Sequence, residues 1–210
     1  MGRIVWSPKK EHVLSSQMWG FMLEVNKKHN TRLKGYDDLY SWTIAHPHLF
    51  WNDIWEYCDI IHSLPFSQVV ENLTSMPGAK WFPSARLNFA ENLLRFRDDN
   101  PALVFRGEDK IERTISYKEL FSLVAKTSSA LKSAGVSSGD RVTGFIPNIP
   151  EAVIAMLATA SIGAVWSSSS PDFGIKGVLD RFSQIKPKVL FAANGYFYNG
   201  KHFDSLEKLK

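Results

Sequence analysis

The sequence has 210 residues, of which 44% are hydrophobic and 22% charged, a composition typical of globular proteins with one or two domains. The formal net charge is only +4, which disfavours a nucleic-acid-binding surface. Cys58 is the single cysteine, so the sequence has neither an intrachain disulfide nor a four-cysteine zinc site. Neither a secretory leader nor an apolar stretch long enough to span a bilayer is evident. Together these features predict a protein of the cytosol with neither a membrane nor a nucleic acid as partner.

The first hundred residues predict a helical segment rich in tryptophan. Apolar residues recur at helical spacing after Ser15 or Ser16, again in a segment that Asp37 or Asp38 is expected to cap, and from His48 to His62. Six of the seven tryptophans lie at or before Trp81, where they could form a ligand-binding box. Packing against a neighbouring domain is favoured instead, because aromatic rings bury large areas. A break at residues 98–101 divides the chain into predicted domains 1–100 and 101–210.

Beyond that boundary the pattern predicts a β-hairpin, a long helix and then a layer of alternating strands and helices. The hairpin spans residues 102–115, and Ser116 is expected to cap the long helix. Within Gly139–Ala193, the strand candidates are residues 141–146, 164–166 and 189–193. Asn148 with Glu151 is expected to cap the first helix of this stretch, and Gly163 to end it in a left-handed conformation. The alternation predicts an α/β fold with a parallel βαβαβ layer.

Ligands of parallel sheets bind beyond the carboxyl ends of the strands. Here these ends are residues 147–148, the serine-rich loop 167–172 and residues 194–196. The serine hydroxyls and backbone amides could hold a phosphorylated ligand. The alternative, which the pattern alone favours, is a crossover loop that caps the next helix, with Asp172 and Glu151 acting as helix caps.

Familiar catalytic motifs are absent from the sequence. It contains no dinucleotide fingerprint, phosphate loop or nucleophile elbow, and His46 and His48 lack the companion ligands of a zinc site. Without the help of a family resemblance, the residues therefore predict a fold but do not indicate a reaction.

Three segments resemble a known family. Residues 81–94, WFPSARLNFAENLL, resemble a signature at the start of the acetyl-CoA synthetase branch of the adenylate-forming enzymes, and residues 139–152 and 160–168 are similar to further family segments. Residues 166–174 and 177–185 match the acetoacetate-using type of this branch. Acetate-using relatives typically carry a histidine at the position of Trp166 and a pair of glycines at Pro171 and Asp172.

The resemblance implies the start of the large adenylate-forming domain, preceded by the tryptophan-rich segment, and a two-step ligase. In such enzymes a carboxylate attacks the α-phosphate of ATP to give acyl-AMP and pyrophosphate, and the CoA thiolate then displaces AMP. Mg²⁺ offsets the phosphate charge. The implied substrates are acetoacetate, ATP and CoA, and the product would feed ketone-body carbon into lipid synthesis. A ligase for another short acid, such as acetate or propionate, and a non-catalytic binding module remain alternatives.

The resemblance also implies two contacts with CoA. Family members bind the nucleotide end of CoA just after the third strand, which corresponds here to Tyr198, Asn199, Gly200 and Lys201. Lys201 keeps a positive charge that can meet a phosphate, whereas Tyr198 departs from the arginine of the family pattern. Ser170, Pro171 and Asp172 lie where relatives pass the pantetheine arm, although the glycines are missing.

The chemical machinery of the family is not found in the 210 residues. Its phosphate loop, adenine pocket and catalytic lysine do not occur, and residues 204–210 begin a capped helix of about one turn. We therefore expect a truncated sequence, with the remainder of the adenylation domain as its missing intramolecular partner. By itself this chain is expected to be inactive and to bind no cofactor tightly, and it offers no catalytic or metal-binding residue.

Overall fold

The structure is a computed structural model that describes residues 5–108 and 111–206. The chain forms two compact units, Met1–Arg86 and Leu87–Lys210. Each unit has its own hydrophobic cluster. The domain boundary predicted between residues 100 and 101 stays a prediction.

The first unit is mainly helical. Its elements are α1 (Lys10–Leu14), α2 (Gln17–His29), α3 (Tyr36–Ala45), α4 (Pro47–Tyr57), β1 (Val70–Glu71) and β2 (Lys80–Trp81). The helix predicted after Ser16 is α2, and Ser16 caps it by accepting a hydrogen bond from the Trp19 amide. The predicted cap of α3 by Asp37 or Asp38 is wrong, because Gly35 occupies that position and Asp38 accepts from the Lys34 amide instead.

The aromatic residues of this unit pack with one another. Trp42 is buried in the cluster that α2 and α3 form around Val25. Trp55 of α4 contacts Phe66 and Phe82, with ring centroids 5.1 and 4.9 Å away. These tryptophans therefore stabilise the unit itself. The predicted packing against a neighbouring domain stays a prediction.

A buried carboxylate joins two helices of the first unit. Asp53 of α4 is only 6% exposed and accepts hydrogen bonds from the Lys28 ammonium at 2.8 Å and from the His29 ring at 2.6 Å. Lys28 also reaches Glu56 at 2.6 Å. These bonds offset the cost of burying the Asp53 charge and tie α4 to α2.

The second unit contains the predicted α/β layer. Its elements are α5 (Phe89–Leu93), β3 (Pro101–Gly107), β4 (Ile111–Ser116), α6 (Tyr117–Ser133), β5 (Arg141–Phe145), α7 (Pro150–Ser161), β6 (Val165–Ser169), α8 (Ile175–Ile185), β7 (Val189–Ala192), β8 (Gly195–Tyr198) and β9 (Lys201–Asp204). The predicted hairpin is confirmed as the antiparallel pair β3–β4. Ser116 caps α6 by accepting from the Glu119 amide.

Three parallel strands form the sheet in the order β6–β5–β7. Residues 142–145 of the central strand are buried, and Val142 belongs to the core that α6 and α7 complete. The predicted parallel βαβαβ layer is therefore confirmed. Trp166 of β6 lies so close to Gly144 of β5 that a Cβ atom on that glycine would stand 2.7 Å from Trp166 Cη2.

Asn88, in the signature segment, joins two helices. Its side-chain oxygen accepts from the Glu91 amide and caps α5. Its side-chain nitrogen donates to the carbonyls of Ala160 and Ser161 at the end of α7, at 3.0 and 3.3 Å. One amide side chain thus satisfies backbone groups at the start of one helix and at the end of another.

Two predicted helix starts in this layer are wrong. Helix α7 begins at Pro150, with Ile149 rather than Asn148 as its N-cap and no side-chain cap. Proline is favoured at this first helical position, where an N–H would have no partner within the helix. Glu151 instead forms an ion pair with Arg113. Asp172 does not cap α8 either, since Gly174 occupies that position. By contrast, Gly163 follows α7 with φ +73°, which confirms the predicted left-handed end.

The serine-rich loop and the carboxyl end also differ from prediction. Residues 167–169 belong to β6 and pair with β5, which shortens the loop to residues 170–174. The hairpin β8–β9 was not predicted, and Asp204 lies in β9 rather than at the start of a helix. The remainder of that predicted helix, residues 207–210, lies outside the described residues.

Candidate functional site

A cleft of about 580 Å³ lies at the carboxyl ends of the three parallel strands. All three predicted strand ends line it: residues 147–149, 170–172 and 194–196. Residues 105–108 and 111 of the β3–β4 hairpin and residues 197, 198 and 202 of the β8–β9 hairpin complete the wall. The structure therefore brings together the positions at which the sequence predicted a ligand.

One wall is the hairpin β8–β9, which turns at Asn199 and Gly200. Both residues have positive φ, +50° and +72°, as a two-residue hairpin turn with a right-handed twist requires. The Gly200 amide donates to Glu108 Oε2 at 3.1 Å, which ties the tip of the hairpin to the end of the β3–β4 hairpin. The Asn-Gly pair between aromatic residues was the sequence signal that could have predicted this hairpin.

A second wall is the turn of residues 170–172. Ser170 Oγ donates to Asp172 Oδ2 at 2.8 Å, and Tyr196 Oη donates to Asp172 Oδ1 at 2.6 Å. The bond to Asp172, together with burial, raises the pKa of Tyr196 to about 12. The Asp172 carboxylate therefore connects the turn to strand β8 while the phenol stays neutral at physiological pH.

Aromatic rings form the surface of the hairpin. Tyr196 stacks on Phe203 of the neighbouring strand, with ring centroids 5.2 Å apart and planes inclined by 15°. Phe197 and His202 make a second cross-strand pair at 5.2 Å. Such pairs hold the two strands together and offer flat apolar faces to a ligand.

The predicted CoA-binding residues fall into two groups. Ser170, Pro171, Asp172 and Tyr198 line the cleft, and the side chain of Pro171 is almost completely buried. Asn199 and Gly200 form the hairpin turn, and the exposed Lys201 opens β9; these three residues lie beside the cleft rather than in its lining.

The charges around the cleft nearly balance. Arg106 and His202 supply basic groups, and Glu108 and Asp172 supply carboxylates. Arg106 forms an ion pair with Glu112, which reduces its availability to an anion. Recognition of a phosphate here would therefore need backbone amides, hydroxyls and the exposed Lys201 as well.

Within residues 5–108 and 111–206, no group of three or more His, Cys, Asp or Glu side chains could hold a metal ion. In the same part of the chain, no helix combines the length and apolar character needed to cross a membrane.

The second unit is a parallel α/β layer with a cleft at the carboxyl ends of its strands. Comparison with known families identifies the class of protein to which the chain belongs. The family described as "AMP-binding enzyme" matches residues 89–210, and "Acetyl-coenzyme A synthetase N-terminus" matches residues 36–93. The first match covers more than half of the chain, which therefore belongs to the AMP-binding enzyme family.

Individual relatives match nearly the whole chain at about 40% identity. The acetoacetyl-coenzyme A synthetase of Rhizobium meliloti (strain 1021) is 43% identical over 208 residues, which are 99% of this chain and 32% of the relative. The malonamoyl-CoA synthetase vrtB of Penicillium aethiopicum is 40% identical over 201 residues, 92% of this chain and 28% of the relative.

A solved structure has the same fold. The acetoacetyl-CoA synthetase from Streptomyces lividans superimposes with a TM-score of 0.91 at 38% identity, over 99% of this chain and 33% of that one. The chain thus spans about a third of the length of the relatives it matches.

Proposed function

We propose that this chain is the amino-terminal part of an acetoacetate–CoA ligase. The complete enzyme would activate acetoacetate with ATP as acyl-AMP and then transfer the acyl group to CoA. The observation that carries the proposal is agreement along nearly the whole chain, at 38–43% identity, with two proteins named acetoacetyl-CoA synthetase. Cytosolic location and a role in moving ketone-body carbon into lipid synthesis follow from this assignment and belong to the same proposal.

The cleft would serve the second step, in which CoA enters. Ser170, Pro171 and Asp172 would border the pantetheine arm, and the hairpin turn from Tyr198 to Lys201 would meet the nucleotide end. The Lys201 ammonium is exposed beside the cleft and can approach a phosphate from solvent. ATP and Mg²⁺ would be bound by the remainder of the adenylation domain, since the described residues offer no group of metal ligands.

The direct test is the half-reaction. A full-length ligase that contains this chain should exchange labelled pyrophosphate into ATP when acetoacetate is added, and should form acetoacetyl-CoA when CoA is added as well. The 210-residue chain alone should do neither. Exchange catalysed by the isolated chain would refute its assignment as a part without the catalytic machinery.

The CoA contact has its own test. In the full-length ligase, Lys201→Ala should raise KM for CoA about threefold to tenfold, because an exposed charge contributes about 1 kcal/mol to phosphate binding. Lys176→Ala, which removes an exposed lysine of α8, is the matched control. An unchanged KM for CoA in Lys201→Ala would refute the proposed contact between Lys201 and a phosphate of CoA.

A ligase for a different short acid is the second candidate. A malonamoyl-CoA synthetase is nearly as similar to this chain as the relatives named for acetoacetate, so similarity over this region does not by itself fix the acid. Pyrophosphate exchange measured in parallel with acetoacetate, acetate, propionate and malonamate separates the two candidates. The acid with the highest kcat/KM identifies the substrate.

A further inference from the structure

Two carboxylates attach the β8–β9 hairpin to the rest of the cleft. At the base of the hairpin, Asp172 Oδ1 accepts from Tyr196 Oη at 2.6 Å. At its tip, Glu108 Oε2 accepts from the Gly200 amide at 3.1 Å. The hairpin therefore has one tie to the 170–172 turn and another to the β3–β4 hairpin, and the cleft lies among these three elements.

The tie at the base joins two groups that are each held by further contacts. The Tyr196 ring is partly buried and stacked on Phe203, so the position of its hydroxyl is fixed by strand pairing. On the other side, Asp172 is held by Ser170 Oγ at 2.8 Å, within a tight turn closed by the bond from the Phe173 amide to the Ser170 carbonyl at 3.2 Å. The turn and the hairpin therefore cannot separate without breaking a hydrogen bond to a carboxylate.

We propose that Tyr196 is a positioning residue for CoA: its hydrogen bond to Asp172 fixes the distance between the 170–172 turn and the β8–β9 hairpin, and thereby the width of the cleft that receives the pantetheine arm. The inference rests on the proposed function, because CoA is the ligand. Tyr196 takes no part in bond making. Its loss should weaken CoA binding and leave the formation of acyl-AMP to residues elsewhere in the ligase.

The geometry also ranks the variants. Tyr196→Phe keeps the ring and its stacking but removes the donor to Asp172. Asp172→Asn keeps a side-chain oxygen that can accept from Tyr196, whereas Asp172→Ala removes the acceptor. The effect on CoA should therefore be smaller for Asp172→Asn than for Asp172→Ala, and Asp172→Ala should resemble Tyr196→Phe.

The experiment uses the full-length ligase and measures the two steps separately. Tyr196→Phe should raise KM for CoA about tenfold, which corresponds to about 1.4 kcal/mol, while acetoacetate-dependent pyrophosphate exchange stays within about twofold of the wild type. Tyr117→Phe is the matched control: Tyr117 lies outside the cleft lining, and its ring contacts Phe96 at 6.2 Å. This control should change neither step.

The outcomes separate the inference from the proposed function. A wild-type ligase without acetoacetate-dependent exchange would refute the proposed function. An active wild type in which Tyr196→Phe leaves KM for CoA unchanged, or slows both steps equally, would overturn the positioning role. If Tyr196→Phe fails to fold, the values of KM for CoA in Asp172→Asn and Asp172→Ala test the positioning role instead. Equal values in these two variants would also overturn that role.

Discussion

Replacing Gly144 with alanine tests how tightly the sheet is packed. A Cβ atom at this position would stand 2.7 Å from Trp166 Cη2, 2.8 Å from Trp166 Cζ2 and 3.0 Å from Ile146 Cγ2. Carbon atoms in contact prefer about 3.5–4.0 Å, so the indole would have to move by roughly 1 Å within a packed core. We expect Gly144→Ala to lower the free energy of unfolding by about 1–3 kcal/mol.

The assay is chemical and thermal unfolding followed by circular dichroism. The expected loss corresponds to a decrease in Tm of about 2–12 °C for a chain of this size. Gly177→Ala in α8 is the control, because a Cβ there would meet only the end of the flexible Arg181 side chain at 3.3 Å and Phe173 at 3.9 Å. It should not lower the free energy of unfolding, since alanine is the better helix former.

A double variant identifies the cause of the loss. Trp166→Leu removes the two indole carbons that the new methyl group would meet, so Gly144→Ala should cost less in that background. Equal costs in both backgrounds, or a wild-type Tm in Gly144→Ala, would refute the steric argument.

Three further predictions concern other contacts. Asn88→Ala should lower the free energy of unfolding by about 1–3 kcal/mol, because it removes a helix cap and two bonds to the end of α7; Asn88→Ser, which keeps a capping oxygen, should lose less, and denaturant titration compares the two. Asp53→Asn should destabilise the first unit by about 2 kcal/mol, because the Lys28 ammonium and the His29 ring lose a buried partner and only Lys28 retains Glu56; an unchanged Tm would contradict the importance of that cluster. Hydrogen bonds from the Ser137 amide, the Lys188 ammonium and the Ser137 hydroxyl lower the pKa of Asp140 to about 2, so its stabilisation is present above the ordinary value near 4 and is lost as the pH falls through about 2. The Tm difference between wild type and Asp140→Asn should therefore shrink between pH 4 and pH 2, and a constant difference would rule out this linkage.

The parallel layer could be predicted because its signals are local and repeated. Strands β5 and β7 and the start of β6 are short, mainly apolar runs, and the helices between them end at a breaker such as Gly163 or Pro187. The alternation of the two favours parallel pairing. The position of the cleft followed from that topology alone, since ligands bind at the carboxyl edge of such sheets.

The errors arose where a polar residue had two possible partners. Asn148 and Asp172 have the residue types of helix caps, but Asn148 lies one residue before the N-cap position of α7. Asp172 accepts hydrogen bonds from Ser170 and Tyr196 instead. The serines of β6 look like loop residues in isolation and become strand residues only through pairing with β5. Such choices depend on tertiary contacts that a local pattern does not contain.

The Asn199–Gly200 turn has a consequence for chemical ageing. Asparagine followed by glycine is prone to deamidation, in which the glycine amide nitrogen attacks the asparagine side-chain carbonyl to form a cyclic imide and release ammonia. In this protein that nitrogen donates its hydrogen to Glu108, and the turn fixes the backbone on both sides of it. The attack must first break this bond and reorient the turn, so we expect deamidation of Asn199 to require that the tip of the hairpin opens.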